Sequence, residues 1–343
     1  MNQRKKIDLL IDLQYGSTGK GLASSYLCSK HAYDLVISAN LPNAGHTAYD
    51  QDGRKFMHKC LPSGVFGNPE FVAIGPGAVF DPDRLHLEVT SLLSAGHIAN
   101  TEIIIHENTV PLTPDMKEEE EQSGAKTIAS TLQGSMVASV RKMVRDNTKK
   151  VIARDAYEPR PDLNIRMVNS HEWLDMVSDS RRILAEGAQG YSLGLNQSFY
   201  PHVTSRDCTT ARFLADMALP VGMLSKVIGV ARTFPIRVGN TANGHSGGCY
   251  ADQSEMTWEQ VGQAPEMTTV TGRVRRVFSF SAAQLEEALI ANSVSELFLN
   301  FVNYTVPNDM SFAAYVGEIA ASCGSKLVYL GYGPLASDVV KLS

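Results

Sequence analysis

A short loop, Gly16-Ser17-Thr18-Gly19-Lys20-Gly21, concentrates the groups that hold phosphate. Its three glycines let backbone N–H groups close around an anion, and Lys20 adds a positive charge. The apolar run before it reads as a strand and the stretch after it as a helix, whose N-terminus would favour an anion. Yet Gly21 follows Lys20, so the loop does not fit G-x-x-x-x-G-K-[ST], and it does not fit G-x-G-x-x-G either. It contains no acidic residue. The same six residues also suit a tight strand-to-helix turn with a surface lysine, and the stretch alone leaves both readings open.

Four further stretches carry chemistry. Asn43-Ala44-Gly45-His46-Thr47 puts a histidine beside a glycine after a strand-like run, where open α/β sheets place ligands. His46 could act as a general acid or stabilise a transferring phosphoryl group, or be a plain hydrogen-bonded loop histidine. In Glu186-Gly187-Ala188-Gln189-Gly190, the Gln189 amide both donates and accepts, which suits a base edge. Tyr200-Pro201-His202-Val203-Thr204-Ser205 offers hydroxyls in a constrained loop. For both stretches turn chemistry alone is the alternative. The sharpest local signal is Thr271-Gly272-Arg273-Val274-Arg275-Arg276, whose forked donors suit carboxylate or phosphate. A solvated basic loop is its bland counterpart.

These loops need elements to hold them. Strand candidates fall at 6–13, 34–39, 70–74, 101–106, 182–186, 226–231, 296–303 and 326–331. Helix candidates fall at 19–30, 82–94, 133–147, 209–216 and 281–292. Strands alternating with helices predict an α/β fold with a mostly parallel central sheet flanked by helices. Apolar runs such as KIDLLIDL read as central strands covered on both faces. The acidic run 117–122 reads as a solvated face, and no repeat or linker divides the chain, so residues 1–343 are expected to form one domain with long functional loops.

Composition narrows the partners. The 343 residues are 43% hydrophobic and 20% charged, as in a soluble globular protein. A net charge of −5 argues against nucleic acid or an anionic membrane as partner. The five cysteines are scattered, without a C-x-x-C pair, which points to reduced thiols in a cytoplasm. Asp8 and Asp12 interrupt the N-terminal apolar run, which therefore does not read as a signal peptide, and no segment reaches bilayer-spanning length.

Taken in order, the five motifs resemble those of adenylosuccinate synthetases, from about residue 7 to about residue 335. That family condenses L-aspartate with the 6-position of a purine nucleotide, driven by a nucleoside triphosphate. The resemblance implies its P-loop-NTPase-like fold and the following roles. Gly16, Ser17, Thr18, Gly19, Lys20, Gly21, Gly45, His46, Thr47, Asn303, Gly331 and Pro334 would bind the triphosphate. Ser17, Asn43, Ser130, Thr131, Gln189, Thr204, Val238 and Gly239 would bind the purine monophosphate. Arg145 matches an arginine that the family lends to its neighbour's site, which implies a homodimer. Thr271, Arg273 and Arg275 would clamp the aspartate carboxylates, Ser17 and the Gly45 carbonyl would meet Mg²⁺, and Ser17, Lys20 and His46 would be catalytic.

Two departures from the family matter most. Its first loop reads Gly-Asp-Glu-Gly-Lys-Gly, and that aspartate removes the purine N1 proton; here Ser17 stands in its place. A guanine carries a 2-amino group beside N1, and the smaller serine makes room for it. The family's Thr-Lys-Leu-Asp, whose aspartate reads the guanine of GTP, becomes Asn300-Phe301-Val302-Asn303. An asparagine amide can instead face adenine's donor and acceptor. Both changes resemble the bacteriophage branch of the family, which takes dGMP, aspartate and ATP or dATP on the route to diaminopurine nucleotides, and which works in the host cytoplasm. The competing expectations are an ordinary family member using IMP and GTP, and a nucleotide-binding regulator that has lost catalysis through Ser17.

Overall fold

The computed structural model describes residues 5–268, 272–305 and 310–342. Ten strands make one sheet: β1 (Ile7–Asp12), β2 (Leu35–Ser38), β3 (Phe71–Ile74), β4 (Glu102–His106), β5 (Ile165–Val168), β6 (Ile183–Glu186), β7 (Leu224–Arg232), β8 (Glu296–Asn300), β9 (Lys326–Gly331) and β10 (Val339–Lys341). Their spatial order is β10-β9-β8-β7-β1-β6-β2-β3-β4-β5. All neighbours run parallel except the edge strand β10, which is antiparallel to β9.

The sequence IDLLID explains why β1 sits in the middle. All six residues are buried. Leu10 packs on one face with Leu184, Ile228 and Phe298. Leu9 and Ile11 pack on the other with Ile183 and Ala185. A strand apolar on both faces needs cover on both, and helices on the crossovers supply it. Helix α1 (Lys20–Lys30) follows β1 and lays Ala23, Tyr26 and Leu27 on the Leu10 face.

Register then sets the functional edge. Leu10 lies opposite Glu186, Asp12 opposite Val230, and Arg232 opposite Asn300. The C-terminal ends of β1, β6, β7 and β8 therefore line up at one edge of the sheet. Strand order also diverges at β1: β2 to β5 lie on the β6 side, and β8 to β10 on the β7 side. Such a switch point opens a crevice beyond the strand ends. A hairpin, His46–Tyr49 with Lys55–His58, rises over one side of it. A three-stranded antiparallel sheet, Ile236–Arg237, Arg276–Phe278 and Glu255–Met256, rises over the other.

Several elements depart from expectation. The strand predicted over 296–303 stops at Asn300, because Phe301 turns into the left-handed region (φ 60°) and Val302–Tyr304 forms a 3-10 turn. The acidic run lies in the helix Pro114–Gln122; Glu120 is buried, accepting the Met136 N–H at 2.9 Å, so this side of the run is packed and not solvated. Strands β5 and β10 and the helices Ser170–Asp179 and Ser311–Ser322 lie outside the predicted elements. No helix among the described residues is long and apolar enough to cross a membrane.

Candidate active site

A cavity of about 600 Å³ opens at the switch point. Its floor is the first loop. Asp12, fully buried at the end of β1, holds that loop through both carboxylate oxygens. Oδ1 accepts the N–H groups of Gln14 (2.9 Å) and Gly16 (3.1 Å). Oδ2 accepts the Thr18 hydroxyl (2.5 Å), the Thr18 N–H (3.3 Å) and Lys20 Nζ (3.1 Å). Asp12 is thus the loop's internal anchor, and Thr18, 0% exposed, belongs to that anchor and not to the cavity wall.

Ser17 stands apart from this network. It is exposed into the cavity with φ 57°, and only its carbonyl is engaged, by Arg232 at 3.1 Å. Its hydroxyl makes no hydrogen bond among the described residues. Next along, Gly19 (φ 86°) caps α1 without any side-chain cap, and the first turn of the helix has no acidic residue. The helix N-terminus therefore faces the cavity with its N–H groups and positive dipole end uncompensated, which suits a phosphate. Two glycines make this packing possible. A Cβ on Gly21 would sit 2.0 Å from the Thr47 carbonyl oxygen, and one on Gly190 would sit 2.2 Å from the Gly16 nitrogen.

The hairpin brings Gly45, His46 and Thr47 to the cavity. Burial, reinforced by the charges of Lys20, His58 and Arg206, holds the His46 imidazole down at about 3, so it is neutral at physiological pH. Lys20 Nζ also donates to the Gln189 carbonyl at 3.1 Å, which ties the first loop to the loop after β6. There Gln189, itself left-handed (φ 59°), donates from Nε2 to Asn43 Oδ1 at 2.8 Å. Asn43 Nδ2 in turn donates to Thr204 Oγ1 at 3.1 Å. Sequence-distant residues 43, 189 and 204 thus form one wall. Glu186 of the same motif points elsewhere: buried, it accepts from Ser24 Oγ and from the N–H groups of Ser63 and Gly64.

Ser130, Thr131, Val238, Arg275, Asn303 and Pro334 also line the cavity. Burial pushes Arg275 down to about 10, with Arg232 adding to the fall and Glu266 opposing it, so it remains a cation at pH 7. Arg273 lies just behind the wall, donating to the carbonyls of Gly239 (3.1 Å) and Ala129 (3.2 Å). Gly239 packs against Val274. Gly331 is buried at the end of β9 against Asn300, away from the cavity lining. Arg276 is committed to structure, bonding Glu255, Ser246 and Gly247. Arg145 is exposed at the C-terminus of the helix Ser135–Val144, beside exposed Val140, Met143 and Val144. Thr271 lies outside the described residues.

Several residues here escape motif reading. Arg232, 0% exposed at the end of β7, bonds the Ser17 carbonyl and pairs with Glu266. Tyr304 donates to the same carboxylate at 3.2 Å. Asn300 donates from Nδ2 to the carbonyls of Thr18 (2.8 Å) and Gly19 (3.2 Å), fixing the loop from the other side. The register of β7 and β8 brings Arg232 and Asn300 to the first loop, and no local signal in the chain marks them.

The donor set also bears on a divalent cation. Among the described residues no three His, Cys, Asp or Glu side chains cluster in a metal-binding arrangement. Ser17 and Gly45 offer neutral oxygens at the cavity, and the carboxylates beside it are already engaged, Asp12 by the first loop and Glu266 by Arg232 and Tyr304. This fits Mg²⁺ carried mainly by substrate phosphate oxygens, the usual way that ion meets nucleotide enzymes.

Comparison with known proteins agrees with this architecture. A model of the adenylosuccinate synthetase family matches residues 9–160 and 148–306. An N6-succino-2-amino-2'-deoxyadenylate synthase of Vibrio phage phiVC8 is 48% identical over 340 residues, covering 98% of each chain. A protein of the same name from Cyanophage S-2L is 38% identical over 341 residues, covering 98% of this chain and 92% of its own. The solved structure of Cyanophage S-2L succinoaminodeoxyadenylate synthetase (PurZ), bound to dGMP and dATP as an energy donor, has a TM-score of 0.90 at 36% identity, covering 98% of this chain and 95% of that one. Fully ligated adenylosuccinate synthetase from Plasmodium falciparum shares the fold at 17% identity, with a TM-score of 0.79 and coverage of 99% and 100%. With its motifs in family order around one cavity, the chain belongs to the adenylosuccinate synthetase family.

Proposed function

We propose that this enzyme is a C–N ligase of the phage type, condensing L-aspartate with the 6-position of dGMP. ATP or dATP drives the reaction, and the products are N6-succinyl-2-amino-2'-deoxyadenylate, ADP and phosphate. The observation that carries this reading is Ser17. It occupies the family's aspartate position, faces the cavity, and leaves both space and an unpaired hydroxyl where a guanine 2-amino group would lie.

In the first step the guanine O6 forms a bond to the γ-phosphorus, the bond to ADP breaks, and the N1 proton passes to solvent. In the second the aspartate amine bonds to C6, the C6–O bond breaks and phosphate leaves, with the amine proton passing to solvent. Phosphorylation makes a poor leaving group a good one. The open N-terminus of α1 and Lys20 hold the triphosphate. A neutral His46 donates a hydrogen bond to the oxygen that bridges C6 and phosphorus, without adding charge that would need a proton. Asn43, Thr131, Gln189, Thr204 and Val238 hold the monophosphate substrate. Arg275, with Thr271, clamps the aspartate carboxylates, since a forked guanidinium matches them, and Arg273 braces the wall behind through the Gly239 and Ala129 carbonyls. Asn303 meets the adenine of the donor nucleotide. Ser17 and Gly45 would hold Mg²⁺, which when bound offsets the phosphate charge.

We also infer one domain over residues 1–343, because the ten-stranded sheet takes strands from Ile7 to Lys341. Exposed Val140, Met143 and Val144 around Arg145 support a homodimer in which Arg145 reaches the neighbouring site. We place the enzyme in the host cytoplasm, where its nucleotide substrates are.

A phosphate-release assay with aspartate and Mg²⁺, crossing dGMP, GMP and IMP against ATP, dATP and GTP, tests this. Turnover of dGMP with ATP or dATP is expected. Preference for IMP with GTP would return the chain to the ordinary reaction, and nucleotide binding without turnover would make it a regulator.

A further inference from the structure

Behind the wall formed by Asn43, Gln189 and Thr204 lies an arginine that does not reach the cavity. Arg206 is 3% exposed. Its Nη1 donates to the Ala39 carbonyl at 2.6 Å and to Asp216 Oδ2 at 3.2 Å. Its Nη2 meets Gln189 Oε1 at 3.1 Å.

The chemistry of that last contact has a direction. Guanidinium can only donate, so the Gln189 atom facing it must be the amide oxygen. The Gln189 amide nitrogen is then turned to Asn43, whose facing atom must be its oxygen, at 2.8 Å. The Asn43 nitrogen is in turn directed at the Thr204 oxygen, at 3.1 Å. Thr204 accepts, and its own O–H is left to donate. Every hydrogen not used within the chain, on Gln189 Nε2, on Asn43 Nδ2 and on Thr204 Oγ1, is a donor. All three residues line the cavity. Each amide flipped would reverse the chain, turn acceptors toward the cavity, and oppose an anion.

We propose that Arg206 is a positioning residue that fixes the direction of this chain and so turns the free amide and hydroxyl hydrogens of the wall toward the purine monophosphate. This rests on the reading of the cavity as a purine monophosphate site. Arg206 touches no substrate; it acts through Gln189. Asp216, which also pairs with Arg212 at 2.8 Å, balances its buried charge.

The test is a kinetic split in R206M/D216N, a pair of changes that removes the arginine without stranding the carboxylate. The expected result is a KM for dGMP raised about 10- to 100-fold, with kcat and the KM values for ATP and aspartate within about twofold of wild type. R206K, which keeps the charge but not the fork, should raise the KM for dGMP by about 3- to 10-fold and gives the same readout if the double variant does not fold. An unchanged KM for dGMP, or a fall in all parameters together with the melting temperature, would overturn the proposal. If wild type uses a different purine monophosphate, the functional reading fails, and the same split read on that nucleotide decides this one.

Discussion

The guanidinium of Arg232 lies 3.9 Å over the ring of Phe301, inside the protein, while one of its nitrogens bonds the Ser17 carbonyl. One buried cation thus joins the loop that carries Ser17 to the turn that carries Asn303. Glu266 completes the unit, and Arg275 follows from the same loop, its N–H bonded to the Glu266 carbonyl at 2.8 Å. The position of Phe301 holds lysine in ordinary members of the family, which would set a second cation against Arg232.

Phe301→Lys should therefore do more than remove a ring. A desolvated cation–π contact is worth about 2 kcal/mol, and the new ammonium adds repulsion. We expect a KM for ATP raised about tenfold or more, and a lower melting temperature, with Phe301→Leu intermediate. Steady-state kinetics on the two variants checks this; equal behaviour of lysine and leucine would remove the electrostatic part of the argument.

Buried histidines give the fold an acid limit. Burial holds His46 at about 3 and His106 at about 4, both below the ordinary value of 6.5. Between those values and 6.5 the unfolded chain takes up protons that the folded chain refuses. Stability is complete above about pH 6.5 and falls as pH drops through that window, by up to roughly 1.4 kcal/mol per pH unit for each group. Urea midpoints at pH 7.5 and 4.5 should fall less in His106→Gln than in wild type. The rate should show no limb from His46 between about pH 5 and 8.

Glu186 predicts a stability effect separated from activity. Its carboxylate accepts from Ser24 and from two backbone N–H groups, joining β6 to α1 and to the turn Ser63–Gly67. Glu186→Gln places an NH₂ against a donor. A loss of about 1–3 kcal/mol is expected by denaturation, with KM values unchanged.

Asp12→Asn should be harsher for function. An amide has one acceptor where five donor contacts converge. Binding of ATP, read by calorimetry, should weaken about 10-fold or more, since the loop loses the template for its backbone.

Much of this architecture is legible in the chain. Period and apolar runs locate eight of the sheet's strands, because central parallel strands are apolar on both faces, and each of the five loop motifs contributes to the cavity lining. The helix Ser170–Asp179 carried a readable signal that the apolar pattern hides: Asn169 and Glu172 form a capping box. Strand β10 offered less, being an edge strand of three residues. The roles of Arg206, Arg232 and Asn300 could not be read locally. Arg232 meets Ser17 across 215 residues and Asn300 meets Thr18 across 282, so only the register of the sheet brings them together.

The most direct test is the ratio of kcat/KM for dGMP to that for IMP, in wild type and in Ser17→Asp. Aspartate tolerates the left-handed backbone at this position, so the loop should survive the change. If space at residue 17 selects guanine, wild type favours dGMP and Ser17→Asp lowers the ratio by about 10²-fold or more, through both crowding of the 2-amino group and a restored base for N1. A ratio that stays the same in Ser17→Asp would contradict the account, since substrate choice would then be made elsewhere in the cavity.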